Sequence, residues 1–185
     1  MIDEREVELL KLDEIDIKII SMLEEDPHLT HSEIARRIDR SQPAVGSRIH
    51  KLEARGILRT QIGVDFKEFP VRLLKVEMAV RDTSEILEMA DCCPFVINCM
   101  RISGERNVMV LLASTSMKKL DAVVDYHFRD KPNITKVDME VVTGFAKPFV
   151  LPVNFDSEHH DPNPKTGCGE KCHVYLRQLA RENKL

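Results

Sequence analysis

Residues 30–55 read THSEIARRIDRSQPAVGSRIHKLEAR, and this stretch decides the organisation of the N-terminal part of the chain. Thr30 and Glu33 form the Thr-x-x-Glu pattern of a capping box, which predicts that a helix begins here. Asp39 begins a two-residue turn, and Ser41 is placed to cap a second helix over the rest of the stretch. Two helices joined by so short a turn have the proportions of a helix-turn-helix.

The second of these helices separates an apolar stripe from a polar one. Val45, Ile49 and Leu52 recur at helical spacing and are expected to face inward. Gln42 is then free to pair with adenine and Ser47 with several base edges. The basic residues of this helix are better placed to contact phosphate, which fixes register without reading sequence: Arg48, Lys51 and Arg55.

Charge is unevenly distributed along the chain, although the net charge is −4. Residues 28–60 contain seven basic and three acidic side chains, whereas residues 1–27 contain three basic and ten acidic ones. The positive surplus therefore falls on the predicted helix-turn-helix, where a phosphate-binding face is expected. The alternative is a three-helix bundle with a merely solvated polar face, and the basic surplus and the capping box both disfavour it.

The flanking sequence completes a domain over residues 1–62. Apolar residues at helical spacing predict a first helix from Asp13 to Glu25, with Asp13 as its cap. Gly56 supplies the stop after the second helix of the motif. Ile57 to Val64 reads as extended, which predicts a wing, and residues 63–70 are expected to form a connector.

From Leu73 onward the apolar period changes to the alternation of strands. The predicted elements, in chain order, are strand Leu73–Val80, helix Thr83–Asp91, strand Phe95–Ile102, strand Val108–Ala113, helix Ser116–Phe128 and strand Ile134–Val142. This βαββαβ order over residues 71–155 predicts an α+β fold, a ferredoxin-like sandwich with helices on one face of an antiparallel sheet.

Several runs of this sequence resemble the Lrp/AsnC family of regulators. They are LDEID at residues 12–16, SQPAV at 41–45 and RIHKLEARGI at 48–57. The resemblance implies a winged helix joined to a βαββαβ ligand-sensing domain, and residues 12–155 follow that order. It also implies dimers formed by sheet-to-sheet pairing, octamers built from them, and small effectors such as amino acids. By this likeness and the helical pattern, the DNA side contains Arg40, Ser41, Gln42, Pro43, Ser47, Arg48, His50 and Lys51.

The sequence departs from the family pattern in two loops. The turn of the helix-turn-helix usually carries glycine followed by leucine, where this chain has Asp39 and Arg40; aspartate tolerates the left-handed conformation better than most residues. The sensing loop usually reads Gly-x-x-Asp, and here it runs from Gly104 to Asn107. Gly104, Arg106 and Asn107 are the candidate effector contacts, but an amide cannot pair with an ammonium group as an ion.

The segment 156–185 forms a third departure, because its composition shifts to that of a linker. It contains Cys168, Cys172 and His173, with His159 upstream, and these four are candidate ligands for zinc or copper. The alternative is a disordered tail with two free thiols. The remaining cysteines, Cys92, Cys93 and Cys99, are expected to pack in the core, as cysteine commonly does, although a joint site with the tail or a redox switch stays open.

These observations predict a cytoplasmic, DNA-binding transcriptional regulator rather than an enzyme or a membrane protein. No apolar run reaches the ~20 residues that span a bilayer, and the N-terminus has no signal-peptide pattern. The expected partners are double-stranded DNA, a small-molecule effector and further copies of the chain. One alternative is an enzyme resembling siroheme decarboxylases, for which Arg101 is the obvious candidate; another is a DNA-silent subunit of mixed oligomers.

Overall fold

The computed structural model describes residues 12–129, 131–169 and 172, and it divides the chain into one compact unit that ends at Gln61 and a second that begins at Ile62. The described residues of the first unit form helices α1 (Glu14–Glu25), α2 (His31–Arg37) and α3 (Gln42–Ala54). None of the helices in the described residues combines the length and apolar character that crossing a bilayer requires.

The start of α1 is capped by Asp13, as the sequence predicted, and Asp16 makes this cap reciprocal. The backbone N–H of Asp16 donates to the Asp13 carboxylate over 2.8 Å, and the Asp16 carboxylate accepts from the Asp13 N–H over 3.3 Å. Because the first N–H groups of a helix lack partners within it, these bonds stabilise the first turn. The helix ends before Asp26, whose extended backbone suits the proline that follows.

The three helices share one apolar core. Ile19 of α1, Ile34 of α2 and Val45 and Ile49 of α3 are buried together. Each contributes about 1.5–3 kcal/mol through removal of its side chain from water. The inward stripe predicted for the third helix is therefore confirmed, since Leu52 is also buried.

The end of α3 follows the predicted glycine stop. Gly56 adopts a φ of 70°, a left-handed conformation that costs glycine little. Its N–H donates to Glu53 O and the Ile57 N–H donates to Leu52 O, each over 2.9 Å. These two bonds form a Schellman motif, which closes the last turn one residue earlier than predicted, at Ala54.

The segment after α3 differs from the predicted wing. Residues 57–63 contain no strand, and the strand β1 (Val64–Asp65) pairs antiparallel with β6 (Val150–Leu151), which follows the main sheet. Gly63 permits this pairing, because a Cβ atom there would lie 2.4 Å from the backbone oxygen of Leu151. The extended conformation predicted for Ile57 to Val64 is therefore found as a strand only at Val64, and the strand that pairs with it is remote in sequence.

The second unit has the predicted βαββαβ order. Its elements are β2 (Arg72–Val80), α4 (Ser84–Ala90), β3 (Val96–Arg101), β4 (Val108–Ser114), α5 (Met117–His127) and β5 (Ile134–Val141). The four strands form an antiparallel sheet in the order β3-β4-β2-β5. Alternate residues of β2, such as Val76 and Met78, pack against the buried Leu120 and Val124 of α5, so both helices cover one face.

The opposite face of the sheet is partly covered by the segments that flank it. Phe66 and Val71, which precede β2, are buried together with Leu73 and Ala113 of the sheet. Residues of the predicted connector, Phe66 among them, thus pack within the second unit. Phe145, from the segment after β5, contacts Phe66 edge-to-face with ring centroids 6.4 Å apart.

The described part of the C-terminal tail packs on the second unit, contrary to the composition of a linker. It begins with a 3₁₀ helix (Phe155–His159). The Thr115 hydroxyl lies 3.0 Å from a Glu158 carboxylate oxygen, and Lys119 Nζ donates to Glu158 O over 2.9 Å. Further on, Gly167 lies so close to Tyr126 that a Cβ atom would come within 2.6 Å of its ring. Polar anchors and a close backbone approach thus add to the few apolar contacts of the tail, such as that of Cys168 with the core.

Candidate nucleic-acid interface

The turn between α2 and α3 is built by local hydrogen bonds. Thr30 and Glu33 form the predicted capping box, with Thr30 N donating to Glu33 Oε2 over 2.8 Å. At the other end of α2, Asp39 adopts a φ of 53°, and the Arg40 N–H donates back to Ala35 O over 3.0 Å. Asp39 therefore occupies the left-handed position that glycine usually takes, as its tolerance for that conformation predicted.

The N-terminus of α3 leaves polar groups at the surface. Ser41 has the extended backbone of a cap residue, but within the described residues its side chain makes no capping bond. Pro43 stands in the first turn, where its missing N–H costs nothing. The Ser41 hydroxyl and the first N–H groups of α3 thus meet solvent at the positive end of the helix dipole, a favourable place for an anion.

One face of α3 is exposed along the whole length of the helix. A helix turns by about 100° per residue, so residues four and three apart lie above one another. Pro43, Ser47 and His50 follow that spacing and are exposed, opposite the buried Val45 and Ile49. The predicted DNA-side residues that the structure shows exposed are Arg40, Ser41, Gln42, Pro43, Ser47, His50 and Lys51.

Arg48 departs from the rest of the predicted set, because its guanidinium faces α1. Its Nη1 lies 2.6 Å from Asp13 Oδ2 and 2.7 Å from Asp16 Oδ1. Hydrogen bonds from the Asp16 backbone, followed by Arg48, lower the pKa of Asp13 below its usual range. An arginine held by two carboxylates is poorly suited to a phosphate. The geometry assigns Arg48 to fixing α3 against α1, and we leave it out of the proposed DNA contacts.

Sequence reasoning missed the role of Gly46, which lies on α3 beside the first residue of α2. A Cβ atom at Gly46 would come within 3.2 Å of the His31 ring, so glycine allows the two helices to approach closely. The sequence did contain a signal for this role. An isolated glycine inside a predicted helix lowers helix stability by roughly 1 kcal/mol relative to alanine, so its presence indicates close packing at that position. Arg36 and Arg37 were also passed over; they are exposed in the last turn of α2.

The candidate effector loop is already occupied by internal contacts. The side-chain amide of Asn107 accepts from Val80 N and donates to Val80 O, each over 2.8 Å, and thereby extends the end of β2. Arg106 forms an ion pair with Asp138 of β5. Gly104 has a φ of 119°, the positive value that the sequence predicted. The loop is therefore shaped by Gly104 and held by Asn107, whose amide has a structural role.

The four predicted metal ligands are not brought together in the described residues. Within ranges 12–129 and 131–169 and residue 172, no group of three or more His, Cys, Asp or Glu side chains is arranged to hold a metal ion. His159 is exposed, and His173 lies outside the described residues. Cys168 and Cys172 do meet, and the thiol of Cys168 is hydrogen-bonded to that of Cys172.

Comparisons with known proteins agree with this geometry. A family model described as winged helix-turn-helix DNA-binding matches residues 12–59. The HTH-type transcriptional regulator LrpC of Bacillus subtilis is 33% identical over 128 residues, which cover 66% of this chain and 86% of LrpC. The chain therefore belongs to the Lrp/AsnC family of transcriptional regulators.

Solved structures show the same fold. The structure of Bacillus subtilis LrpC matches with a TM-score of 0.60 at 29% identity, covering 75% of this chain and 99% of LrpC. A transcriptional regulator from Neisseria meningitidis, solved as a complex with L-Met, matches with a TM-score of 0.64 at 22% identity, over 78% of this chain and 98% of its own. A helical unit followed by an antiparallel α+β unit is thus common to all three chains.

Proposed function

We propose that this regulator reads double-stranded DNA with the outward face of α3. The observation that carries the proposal is the exposed row of Pro43, Ser47 and His50, flanked by Gln42 and Lys51. Gln42 and Ser47 supply donors and acceptors for base edges, because amide and hydroxyl groups match the patterns of the major groove. Lys51 supplies a phosphate contact, which strengthens binding to every sequence.

The contacts at the start of α3 have a separate role. Ser41 and the first N–H groups of α3, which lack partners within the helix, form the kind of helix N-terminus that binds phosphate. Arg40 reaches the same region, and its Nη1 donates to Asp39 O over 2.8 Å, which holds the side chain at the turn. We assign these groups to positioning the helix on the duplex rather than to reading bases.

The test compares three alanine variants in fluorescence anisotropy titrations with the chain's own promoter DNA and a scrambled duplex. Lys51→Ala is expected to weaken binding to both duplexes, and Gln42→Ala to reduce the preference for the promoter. Lys18→Ala is the matched control, because Lys18 is an exposed basic residue of α1 and leaves the face of α3 intact. Equal losses in Lys18→Ala and Lys51→Ala would show a mere charge effect and contradict the assignment.

We also propose that the chain self-associates through the sheet face that the helices leave uncovered. Met100 and Met109 on this face are only half-buried. Beside them, Lys75 Nζ lies 2.5 Å from Glu140 Oε2, and such an ion pair suits the polar rim of an oligomer interface. Met109→Lys should convert oligomers to monomers in light scattering, whereas Lys118→Ala on α5 should not. A monomeric wild type would contradict this proposal.

A small effector is expected to control the regulator. The Neisseria meningitidis relative was solved with L-Met, which supports an amino acid as the effector class for this chain. The internal contacts of Arg106 and Asn107 leave the sensing loop with fewer groups for a ligand. A thermal-shift screen with amino acids and metal ions tests the proposal, since a ligand of the native state raises Tm. No shift with any amino acid would contradict it.

The alternative of an enzyme is not favoured. The relatives named above are transcriptional regulators. The one side chain that suggested tetrapyrrole chemistry, Arg101, is exposed at the end of β3. The alternative of a DNA-silent subunit is tested by the same titrations, because such a subunit would bind neither duplex.

A further inference from the structure

Two cysteines of the C-terminal tail come together in the folded chain, next to a third from the sandwich. The thiol of Cys168 is hydrogen-bonded to that of Cys172. Cys168 packs against the core of the second unit, which includes the buried Cys93, and Cys172 is itself 7% exposed. The pattern Cys-x-x-x-Cys alone did not establish that these sulfur atoms face each other.

The backbone around Cys168 explains how the thiols meet. Gly167 and Gly169 on either side of Cys168 have φ values of 59° and 60°, which only glycine adopts readily. The Gly169 N–H donates to Thr166 O over 3.3 Å, and the Cys172 N–H donates to Gly169 O over 3.0 Å. The chain therefore makes consecutive turns that direct residue 172 back toward residue 168. The contact of Gly167 with Tyr126 fixes these turns on α5.

The surroundings keep these groups as neutral thiols. The hydrogen bond with Cys172, and then burial, raise the pKa of Cys168 above its ordinary value. Burial likewise raises the pKa of Cys93 to about 12. Two thiolates side by side would repel each other in so apolar a place. A covalent bond between the two sulfur atoms, ~2.05 Å long, removes both ionisable groups.

The other cysteines lack this arrangement. Cys92 directs its thiol to the backbone, with Sγ 3.3 Å from Glu88 O. Cys99 is half-buried on β3, and its pKa is raised by burial and then by Asp91 rather than by another cysteine. Cys93 approaches the pair but is buried, so a reagent from solvent reaches the half-buried Cys168 first.

We propose that Cys168 and Cys172 form a dithiol site that is oxidised to an intramolecular disulfide by a low-molecular-weight disulfide. The thiolate of Cys168 attacks one sulfur of that disulfide, forms a mixed disulfide and releases the first thiolate. The thiolate of Cys172 then attacks the Cys168 sulfur and releases the second. Two protein thiols are oxidised to one disulfide, and the reagent disulfide is reduced to two thiols.

The experiment uses the full chain, reduced and then exposed to oxidised glutathione under native conditions, with acid quenching, intact mass and peptide mapping. The wild type should become lighter by two hydrogen atoms, with residues 168 and 172 joined and no glutathione retained there. Cys168→Ser and Cys172→Ser should lose this product. The matched control Cys99→Ser should keep it, because the charged neighbour that raises the pKa of Cys99, after burial, is Asp91 rather than a thiol of the pair.

Each of the following results would overturn the proposal, and each comes from the wild type alone, so none depends on whether a variant folds. One is a stable glutathione adduct on Cys168 without ring closure. Another is a disulfide that includes Cys92 or Cys93 in place of the pair, or closure only in urea. The third is a rate that does not change with pH. Because the pKa of Cys168 is raised, the rate should increase about tenfold per pH unit from neutral to alkaline pH, in proportion to the thiolate.

Discussion

Replacement of Arg48 by alanine separates the stabilising role of this residue from a DNA-contacting one. The structure gives its guanidinium two carboxylate partners, Asp13 and Asp16, at 2.6 and 2.7 Å. The Asp13 side chain is 53% exposed, so water screens that ion pair and its contribution is small. The Asp16 side chain is 13% exposed, and a charge-assisted hydrogen bond to it contributes more.

The expected loss follows from these exposures. A buried hydrogen bond to a charged group contributes ~1.5–3 kcal/mol to stability. The contribution here is smaller, because Arg48 is partly exposed and water screens its charge. We therefore expect Arg48→Ala to lower the free energy of unfolding of the first unit by about 1–2 kcal/mol, including the lost packing of the alkyl stem. Urea denaturation followed by far-UV circular dichroism measures this loss. A double-mutant cycle with Asp16→Asn should give a coupling of about 1 kcal/mol.

The same variant makes a prediction about DNA. The logarithm of the binding constant falls with the logarithm of salt concentration in proportion to the phosphates contacted. Lys51→Ala should reduce that slope by about 1, whereas Arg48→Ala should leave the slope unchanged under conditions where the unit remains folded. A shallower slope in Arg48→Ala together with unchanged stability would refute the assignment of Arg48 to the contact between α1 and α3.

Further predictions concern the turn, the caps and the sensing loop. Asp39→Gly should raise the stability of the first unit by up to about 1 kcal/mol in urea denaturation, and Asp39→Ala should lower it, because φ is 53° at this position. The pKa values of Asp13 and Glu33 are lowered in the folded state, by backbone hydrogen bonding at Asp13 and by Thr30 at Glu33. The stability that these two carboxylates contribute is thus fully present above their ordinary pKa values of 3.8 and 4.5, and it is lost as pH falls through their lower pKa values in the folded state. The urea concentration at the unfolding midpoint should therefore decrease when the pH is lowered below about 4. A midpoint that rises there would contradict this reasoning. Asn107→Ala should destabilise the second unit by about 1–3 kcal/mol, because it leaves both backbone groups of Val80 without their partner. An unchanged melting temperature in differential scanning calorimetry would show that these bonds are dispensable.

Local patterns predicted most of the fold because local interactions determine the element ends. The capping box at Thr30, the left-handed Asp39 and the stop at Gly56 were all evident from residue type and spacing, and the structure confirms each. The alternation of β2 likewise follows from burial of every second side chain on one face.

Contacts between distant residues account for what the sequence did not show. The strand at Val64 pairs with Leu151, and no local signal identifies a partner so far along the chain. The direction of Arg48 depends on carboxylates more than 30 residues away. The tail was expected to be a linker because its composition is polar and proline-rich, yet Glu158 is held by Thr115 and Lys119, and Gly167 lies against Tyr126. Composition cannot predict such contacts.

Whether α3 reads DNA is tested most directly by the affinity of the wild-type chain for its own promoter DNA across a series of salt concentrations. Tighter binding than to a scrambled duplex is predicted, with an affinity that falls steeply as salt rises. A footprint on the same DNA should cover a roughly palindromic site. Absent binding, equal binding to both duplexes, or an affinity that salt does not change would contradict the claim.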